Sequence, residues 1–443
     1  MKKMVLINSP IYEEGGFDEE EYLPPLGLGY IATGLEESEV SVDIWDCVKE
    51  SVSVKDIINK LNEAQYEFIG INVFSPNLSL VKKIVEGISY TCSLFIGGQL
   101  VKSVYEKLLS WNTSNVFNII IGEGEIIIPA IVNGNCAQKP EIEINNKRVY
   151  RVSNESIYLP VDLDAIHLNR SLLNNPYTIN HYGKKEAAIV TSRGCTFDCA
   201  FCGGTRSLNR DVNIRYRSSE NIKCEIVDIL KRNEDIGSIR VLDDLFLRNE
   251  KSIQNAINIF SSFQGVSWRG MAHVRTFNNV SSLNELKASN CRELFIGIES
   301  GDEEVRRKIN KQGSVEEIIG VAEKILEAGI DLKGYFILGF PDEKESNFEK
   351  TYNLAKKIKD ISLKTRGEFR TSVFQFRPYH GTKLYNELFV QGRCGQEYTV
   401  NDDISVFKGR RQFNYSSGNY SCEPDGVLND YIIKIQELGN NDD

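Results

Sequence analysis

Three cysteines lie within eight residues of one another in the segment TSRGCTFDCAFCGGTR, which spans positions 191–206. They are Cys195, Cys199 and Cys202, with the spacing C-x-x-x-C-x-x-C. A structural zinc site normally takes four protein ligands, and no second C-x-x-C pair occurs in the chain. Three thiolates on one loop suit a 4Fe–4S cluster in which protein binds three irons. The missing fourth thiol therefore predicts a coordination position that is left for a small molecule.

The bulk composition excludes several classes of protein. The chain has 443 residues, which is too long for one ordinary core and predicts two or three domains. Its formal net charge of −10 argues against a general nucleic-acid-binding protein. The start MKKMVLINSP resembles a first strand rather than a signal peptide, and no apolar window is long enough to span a membrane. We therefore expect a cytoplasmic protein with no membrane and no nucleic-acid partner.

The N-terminal part of the chain has the pattern of a doubly wound α/β domain. Over residues 1–135, five short apolar segments alternate with amphipathic stretches, which predicts a Rossmann-like parallel sheet. Ligands of such sheets bind beyond the carboxyl ends of the strands, where Gly97, Gly98 and the GEGE segment fall. Tight turns explain those glycines equally well. Residues 136–184 lose the alternation and predict a linker region that contains a hairpin.

A second alternation of strands and helices begins near residue 185. Over residues 185–385 it predicts six strands, which are too few for an eight-fold barrel, so we expect a partial (β/α)6 TIM-like barrel. Residues 386–443 predict an irregular tail that closes the barrel and contains one late helix. Every candidate residue of the barrel described below follows one of the predicted strands, at the face where barrel enzymes perform chemistry.

The segment CTFDCAFC resembles the signature of the radical S-adenosylmethionine (radical SAM) superfamily. Together with the segments PPLGLGYIATGLE and GEGE of the first domain, the chain resembles the subclass that carries a cobalamin-binding domain. The resemblance covers about residues 1–135 and 185–385. It implies that the open iron binds S-adenosylmethionine through its amino and carboxylate groups. It also implies that reduction yields a 5′-deoxyadenosyl radical, which abstracts hydrogen from a substrate.

The resemblance further implies which residues bind S-adenosylmethionine. They are Phe201, Gly203, Gly204, Asp243, Asp244, Arg275, Glu299, Ser300, Ile337 and Gly339. The residue types agree with this assignment, because a carboxylate suits an ammonium group and a guanidinium suits a carboxylate. For the aspartate pair, capping of a helix is the alternative interpretation.

The cofactor of the first domain decides the expected reaction. The resemblance implies that cobalamin contacts Ser75, Gly97, Gly98, Gly122, Glu123 and Gly124. The segment D-x-H-x-x-G, which supplies an axial histidine in some cobalamin proteins, is absent, and no histidine precedes His167. With cobalamin, we expect methylation of an unactivated carbon in a small molecule or natural product. Without it, we expect radical dehydration, dehydrogenation, epimerisation or rearrangement of a polar small molecule such as a sugar.

Candidates for proton transfer and for partners complete the sequence-based predictions. Tyr379, His380 and His273 lie near the predicted catalytic face and are candidate acids or bases, although a packed or capping histidine is the alternative. We expect a small-molecule substrate and an electron donor such as flavodoxin or ferredoxin. A non-catalytic binding protein or an electron-transfer module is disfavoured, because the candidate cysteines, carboxylates and Arg275 are all present.

Overall fold

The computed structural model describes residues 2–13, 22–277, 282–394, 399–400, 415–416 and 418–439. Five parallel strands form the centre of the N-terminal sheet, because their apolar runs are buried on both faces. These strands are β1 (Lys3–Asn8), β2 (Ser41–Asp46), β3 (Phe68–Asn72), β4 (Ser93–Gly97) and β5 (Val116–Ile121). Their order in the sheet is β2-β1-β3-β4-β5, which is a doubly wound order and agrees with the predicted fold class.

Helices cover both faces of this sheet and enclose two hydrophobic clusters, one on each side. They are α1 (Leu26–Glu37), α2 (Val54–Ala64), α3 (Leu78–Gly87), α4 (Val101–Leu109) and α5 (Ile127–Val132). Side chains define some of their ends. Ser53 precedes α2, and its hydroxyl oxygen accepts a hydrogen bond from the Asp56 N–H at 3.1 Å. This cap satisfies one of the N–H groups that a helix start leaves without a partner.

The predicted linker region is divided between the two large sheets. Its hairpin, β6 (Ile142–Ile144) and β7 (Lys147–Arg151), extends the N-terminal sheet, with β7 parallel to β5. A later strand, β8 (Tyr177–Ile179), pairs antiparallel with the first strand of the second sheet. The segment therefore joins both sheets by backbone hydrogen bonds instead of running as a separate connector. The domain boundaries at residues 135, 184 and 385 stay predictions.

The second domain is a half-barrel built on six parallel strands. The large sheet contains β9 (Lys185–Ile189), β12 (Ile236–Val241), β13 (Ser267–Ala272), β14 (Cys291–Glu299), β15 (Asp331–Leu338) and β16 (Phe369–Gln375). Two short strands, β10 (Ser192–Arg193) and β11 (Arg215–Tyr216), pair antiparallel on either side of the cysteine segment. The six parallel strands agree in number and order with the sequence-based expectation.

The helices of the second domain are α6 (Ser219–Arg232), α7 (Glu250–Phe260), α8 (Leu283–Ala288), α9 (Glu303–Lys308), α10 (Val315–Glu327), α11 (Glu345–Ser362), α12 (Lys383–Val390) and α13 (Asp425–Glu437). All of them except α9 and α12 pack against the outer face of the half-barrel and contribute to its largest hydrophobic cluster. Helices α9 and α12 belong to a smaller cluster that includes Ala200 of the cysteine loop. A capping box of Ser314 and Glu317 starts α10. None of the described helices has the length and apolar character that a membrane crossing needs.

The C-terminal tail contributes a helix to this outer layer. Helix α13 packs against α11 and β16, and its Leu428, Ile432 and Ile435 belong to the buried cluster of the half-barrel. The Thr371 hydroxyl donates to the Ile435 carbonyl at 2.9 Å, which ties the helix to the edge strand β16. The helix therefore covers the outside of the last strand. The tail also holds the two-residue strands β17 (Thr399–Val400) and β18 (Tyr415–Ser416), and residues 395–398, 401–414, 417 and 440–443 lie outside the described residues.

Candidate active site

Two cavities meet between the domains. The first, here the sheet cavity, has a volume of about 650 Å³ and opens above the carboxyl ends of β1, β3, β4 and β5. The second, here the cysteine cavity, has a volume of about 460 Å³ and is lined by the cysteine loop. Phe74, Gln99 and Leu208 line both cavities and so form their common wall. The two cavities are therefore neighbouring chambers of one interdomain site.

Two glycine turns form part of the wall of the sheet cavity. A Cβ atom added to Gly98, whose φ is +115°, would lie 2.6 Å from the Val73 carbonyl oxygen. The same addition at Gly122, with φ +103°, would lie 2.5 Å from the Val152 carbonyl oxygen. Only glycine fits these turns, and its absent side chain lets a ligand approach the backbone. Five of the residues predicted for cobalamin line this cavity: Gly97, Gly98, Gly122, Glu123 and Gly124.

The cysteine cavity brings together predicted residues from both domains. Its lining includes Ser75, Phe201, Cys202, Gly203, Gly204, Asp244, Ile337, Tyr379 and His380. A Cβ atom added to Gly204 would lie 3.7 Å from the Cys202 sulfur and 3.5 Å from Asp244 Oδ1. The backbone at Gly204 therefore lies between a thiol and a carboxylate. Ser75, predicted for cobalamin, lines the cysteine cavity and lies across it from the cysteine loop.

The cysteine loop is held by backbone N–H groups that point at its sulfurs. The Phe197 N–H donates to the Cys195 sulfur at 3.5 Å, and the Gly204 N–H donates to the Cys202 sulfur at 3.4 Å. Burial raises the pKa of the Cys202 thiol to about 12, and it also raises the pKa of Cys195 and Cys199. The thiols would therefore have to release protons on binding iron.

The donor set fits a multi-iron cluster. Among the described residues, no group of three His, Cys, Asp or Glu side chains is arranged to hold a single metal ion. The thiols of Cys195, Cys199 and Cys202 nevertheless lie close enough for each to affect the charge of another. In a 4Fe–4S cluster each thiolate binds a different iron, so the sulfurs need not converge on one point.

The two adjacent aspartates differ in their surroundings, and the S-adenosylmethionine contact predicted for Asp243 stays a prediction. Its carboxylate accepts hydrogen bonds from the Thr191 N–H at 2.6 Å, the Thr191 hydroxyl at 2.5 Å and the Ser192 hydroxyl at 2.6 Å. It therefore anchors the segment before the cysteines and does not line the cysteine cavity. Asp244 lines that cavity and accepts a hydrogen bond from the Gly194 N–H at 3.2 Å. Burial raises the pKa of both carboxyl groups.

Four other residues predicted for S-adenosylmethionine do not line the cysteine cavity. The Ser300 hydroxyl lies 3.3 Å from the Thr351 hydroxyl of α11, on the outer side of the sheet. Arg275 has an exposed side chain in the short helical turn that follows β13. Gly339, with φ +85°, donates its N–H at 2.8 Å to Oε2 of Glu343 and so serves the turn after β15.

Glu299 is the fourth of these residues, and its partner was not predicted from the sequence. Its carboxylate is buried and forms an ion pair with Lys311 at 2.9 Å. The ammonium of Lys311 lies close enough to lower the pKa of Cys199, although burial raises that pKa more strongly. Lys311 belongs to the segment INKQGS, whose spacing from the cysteines gives no sign of this contact.

The candidate acids and bases are neutral histidines near the cysteine loop. The ring of His273 stacks on Phe197 with centroids 4.0 Å apart, and burial lowers the pKa of His273 to about 3. His380 lines the cysteine cavity together with Tyr379, and its Nδ1 lies 3.4 Å from the Ser75 hydroxyl. Burial lowers the pKa of His380 to about 4. At neutral pH both rings are uncharged, and their lowered pKa values make them weak proton acceptors.

A buried ion-pair network connects the base of the cysteine loop to the first domain. Arg193 and Arg215 are paired across the short strands β10 and β11, and both bind Glu123 of the sheet cavity. Arg193 Nη1 lies 2.5 Å from Glu123 Oε2 and 2.8 Å from Glu125 Oε1. Sequence reasoning placed Glu123 at a cofactor and missed this role, because the two arginines lie 70 and 92 residues away from it.

The two parts of the chain match two family models. Residues 189–355 match the model described as Radical SAM superfamily, and residues 20–132 match the model described as B12 binding domain. An uncharacterized methyltransferase of Pyrococcus horikoshii is 29% identical over 401 residues, which cover 87% of this chain and 83% of the relative.

Two solved structures share this arrangement of domains. The radical S-adenosylmethionine methyltransferase TsrM of Kitasatospora setae, with cobalamin and a 4Fe–4S cluster bound, superposes with a TM-score of 0.62 at 14% identity. The match covers 99% of this chain and 87% of that one. The cobalamin-dependent S-adenosylmethionine radical enzyme OxsB, with aqua-cobalamin and S-adenosylmethionine bound, gives a TM-score of 0.62 at 15% identity. That match covers 95% of this chain and 64% of the OxsB chain.

Proposed function

Because the chain belongs to the radical SAM superfamily and carries a B12-binding domain, we propose that it is a cobalamin-dependent methyltransferase acting on a small molecule. When bound, S-adenosylmethionine on the cluster supplies a hydrogen-abstracting radical, and cobalamin supplies a methyl group. The chain's own residues hold these groups, orient them and exclude water. Methylation of an unactivated carbon is the reaction that needs both the radical and the methyl donor.

The observation that carries the proposal is the common wall of the two cavities. The sheet cavity is lined by the glycine turns of the B12-binding domain, and the cysteine cavity is lined by Cys202. Of the residues that the structure describes, Phe74, Gln99 and Leu208 are the ones that the two cavities share. A substrate at this wall would have a radical source on one side and a methyl donor on the other. Proximity of this kind replaces an encounter between free molecules.

On the barrel side, we propose that Cys195, Cys199 and Cys202 hold the cluster. Asp244 would bind the ammonium of S-adenosylmethionine, because its carboxylate lines the cysteine cavity and, among the described residues, accepts a hydrogen bond from the Gly194 N–H alone. A cation would favour the charged form of this carboxylate. Phe201 and Ile337 offer apolar surface to the adenosine part. The expected second carboxylate, Asp243, supports this site from behind by fixing Thr191 and Ser192.

On the sheet side, we propose that cobalamin binds without a histidine on its cobalt. The chain has four histidines, and none of them lines the sheet cavity. The Gly98 and Gly122 turns let the corrin approach the backbone, and Leu6, Phe95 and Ile121 give the cavity an apolar floor. Glu123 lies at its edge, where the two arginines hold its carboxylate.

The test is anaerobic reconstitution with iron and sulfide, with and without hydroxocobalamin, followed by desalting. We expect iron–sulfur absorption in both samples and corrinoid bands that survive desalting at about one equivalent per chain. The reduced enzyme should then form deoxyadenosine and a methylated product. Loss of the corrinoid with deoxyadenosine still formed would support cobalamin-independent dehydration, dehydrogenation, epimerisation or rearrangement. Absence of iron–sulfur absorption would overturn the radical SAM assignment of these cysteines.

A further inference from the structure

A third and smaller cavity opens on the other side of the cysteine loop. It has a volume of about 230 Å³ and is lined by Cys199, whereas Cys202 lines the enclosed interdomain side. Its remaining lining comes from the loop itself, from α9 and the residues after it, and from the start of α12. The loop is therefore approached from two directions: from the interdomain site and from this outer face.

The outer face is basic. Arg307 and Lys308 end α9, Lys383 begins α12, and all three side chains line the small cavity and are exposed. We call these three residues the basic rim. The one carboxylate in the lining, Asp198, accepts hydrogen bonds from the N–H and the hydroxyl of Ser207. The chain as a whole carries a net charge of −10, so the rim is a positive area on an acidic protein.

Neighbouring carboxylates offset part of the charge of the rim without binding its lysines tightly. Lys308 lies 3.6 Å from Glu304, and Lys383 lies 3.9 Å from Glu387, each pair one helical turn apart. All four of these side chains are at least half exposed, and exposed pairs of this kind contribute little binding energy. Such lysines stay available to the carboxylates of a partner. Arg307 adds a guanidinium, which suits bidentate contact with a carboxylate.

We propose that the basic rim is the docking surface for an acidic one-electron carrier protein. The proposal rests on the proposed function, because the cluster must be reduced before S-adenosylmethionine is cleaved. One electron leaves the carrier, which is oxidised by one electron, and enters the cluster beside Cys199, which is reduced by one electron. No bond forms or breaks in this step. Entry from the outer face leaves the interdomain site free for substrate, and charge complementarity steers a brief encounter of this kind.

The experiment compares two reductants on the reconstituted holoenzyme. The test variant is Arg307→Glu/Lys308→Glu/Lys383→Glu, and the matched control is Lys356→Glu/Lys357→Glu on the exposed face of α11. Binding of an acidic flavodoxin is measured by titration, and cluster reduction is followed by stopped-flow absorbance with reduced flavodoxin or with dithionite. We expect the test variant to weaken flavodoxin binding at least about tenfold and to slow reduction by flavodoxin, since opposite charges at an interface speed association. Reduction by dithionite should stay unchanged.

Several outcomes would overturn the docking proposal while leaving the proposed function intact. One is equal flavodoxin affinity in the test variant and the wild type, with dithionite-driven deoxyadenosine formation normal. Another is wild-type binding that does not weaken when salt is raised from about 0.05 to about 0.3 M, because a charge-driven contact is screened over that range. Binding of a single-stranded oligonucleotide at the rim, with no binding of flavodoxin, would reassign the rim to nucleic acid.

Failure of the radical S-adenosylmethionine chemistry in the proposed function gives a different result, because dithionite would then produce no deoxyadenosine in the wild type. Flavodoxin titration still reports on the rim in that case. If only the cobalamin part of the proposed function fails, deoxyadenosine still forms and the test of the rim is unchanged. If the charge-reversal variant unfolds, Lys308→Gln/Lys383→Gln removes two charges without adding acidic ones. That variant should weaken flavodoxin binding by a smaller factor in the same direction.

Discussion

The two halves of the interdomain site are built by different means. The sheet cavity owes its shape to backbone turns in which Gly98 and Gly122 approach other strands closely. The cysteine cavity owes its chemistry to side chains, chiefly Cys202 and Asp244. A large ligand with its own reactive metal needs room and backbone contact, whereas an inorganic cluster needs specific donor atoms. This difference agrees with the proposal that the first domain surrounds a large cofactor and the second domain supplies the ligands of a cluster.

Each half of the site contains a pair of adjacent residues of the same type whose surroundings differ. Asp244 lines the cysteine cavity, and Asp243 fixes Thr191 and Ser192 beneath it. In the sheet cavity, a Cβ atom on Gly97 would meet nothing within 4 Å, while one on Gly98 would collide with the backbone of Val73. Asp244 therefore faces the ligand space and Asp243 maintains the local fold, whereas both glycines line the sheet cavity and Gly98 is also constrained by its contact with Val73. These differences predict separable effects on binding and on stability.

The largest expected effect is on product formation, and it comes from a substitution that should disturb the cysteine cavity but not the sheet cavity. Cys202→Ala removes one cluster ligand, and we expect product formation to fall by more than about 100-fold, beyond the usual effect of losing an outer-shell partner of a metal site. Corrinoid retention should stay within about twofold, because the backbone turns of the sheet cavity do not depend on the cysteine. Iron content, absorption after desalting and product yield measure the three quantities. Concerted loss of iron and corrinoid would contradict the view that the halves are built independently.

The glycine pair tests the sheet cavity. In Gly98→Ala the strained φ and the collision with Val73 should lower the free energy of unfolding by about 2–4 kcal/mol. Gly97→Ala is the matched control, and its added methyl group enters open space. It should leave the stability of the cofactor-free protein within about 0.5 kcal/mol and weaken only corrinoid retention. Thermal unfolding of the cofactor-free proteins measures the change in stability, and the corrinoid that remains after desalting measures retention. Equal destabilisation by the two variants would remove the distinction drawn between the glycines.

Sequence reasoning was most successful where the signal is local. The spacing of the three cysteines and the alternation of strands and helices led to the predicted family, fold class and cofactors. The family matches and the fold confirm these three predictions. The roles of individual residues, the cysteines included, stay predictions. Local patterns are readable because neighbours in sequence share one turn or one strand.

The missed contacts are long-range and between charged groups. Glu123 meets Arg193 and Arg215 across the domain boundary, and Glu299 meets Lys311 across a turn and a helix. With 62 acidic and 52 basic residues in the chain, sequence alone does not show which of them pair. The contacts of Asp243 with Thr191 and Ser192 were missed for a related reason. The direction of its side chain depends on how the chain leaves β12, and no spacing rule specifies that.

The aspartate pair gives effects of intermediate size. Asp243→Asn presents an amide to three donors, and we expect a loss of about 1–3 kcal/mol in the free energy of unfolding. Asp244→Asn should change stability little and raise the KM for S-adenosylmethionine about tenfold or more, through loss of a charge-assisted contact. Calorimetry and deoxyadenosine formation at varied S-adenosylmethionine measure the two effects. A KM effect confined to Asp243→Asn would support the contact predicted for Asp243 and reverse the assignment.

The smallest effect tests how well the cysteine cavity excludes water. Burial lowers the pKa of His380 to about 4 from an ordinary value of 6.5, with a further small contribution from the charge of Lys107. The neutral ring is favoured in the folded protein, so its contribution to stability is complete above pH 6.5 and is lost as the pH falls towards 4. The stability difference between the wild type and His380→Gln should therefore shrink over that interval.

The measurement is chemical denaturation of the wild type and His380→Gln between pH 7 and 4.5, with the exposed substitution His167→Gln as a control for the change of residue type. Other acidic groups titrate over the same range, but they are common to all three proteins and cancel in the differences. A pH-independent difference for His380→Gln would mean that water reaches the ring between Ser75 and Tyr385. The cysteine cavity would then resemble the open sheet cavity, and water exclusion at the common wall would require a bound substrate.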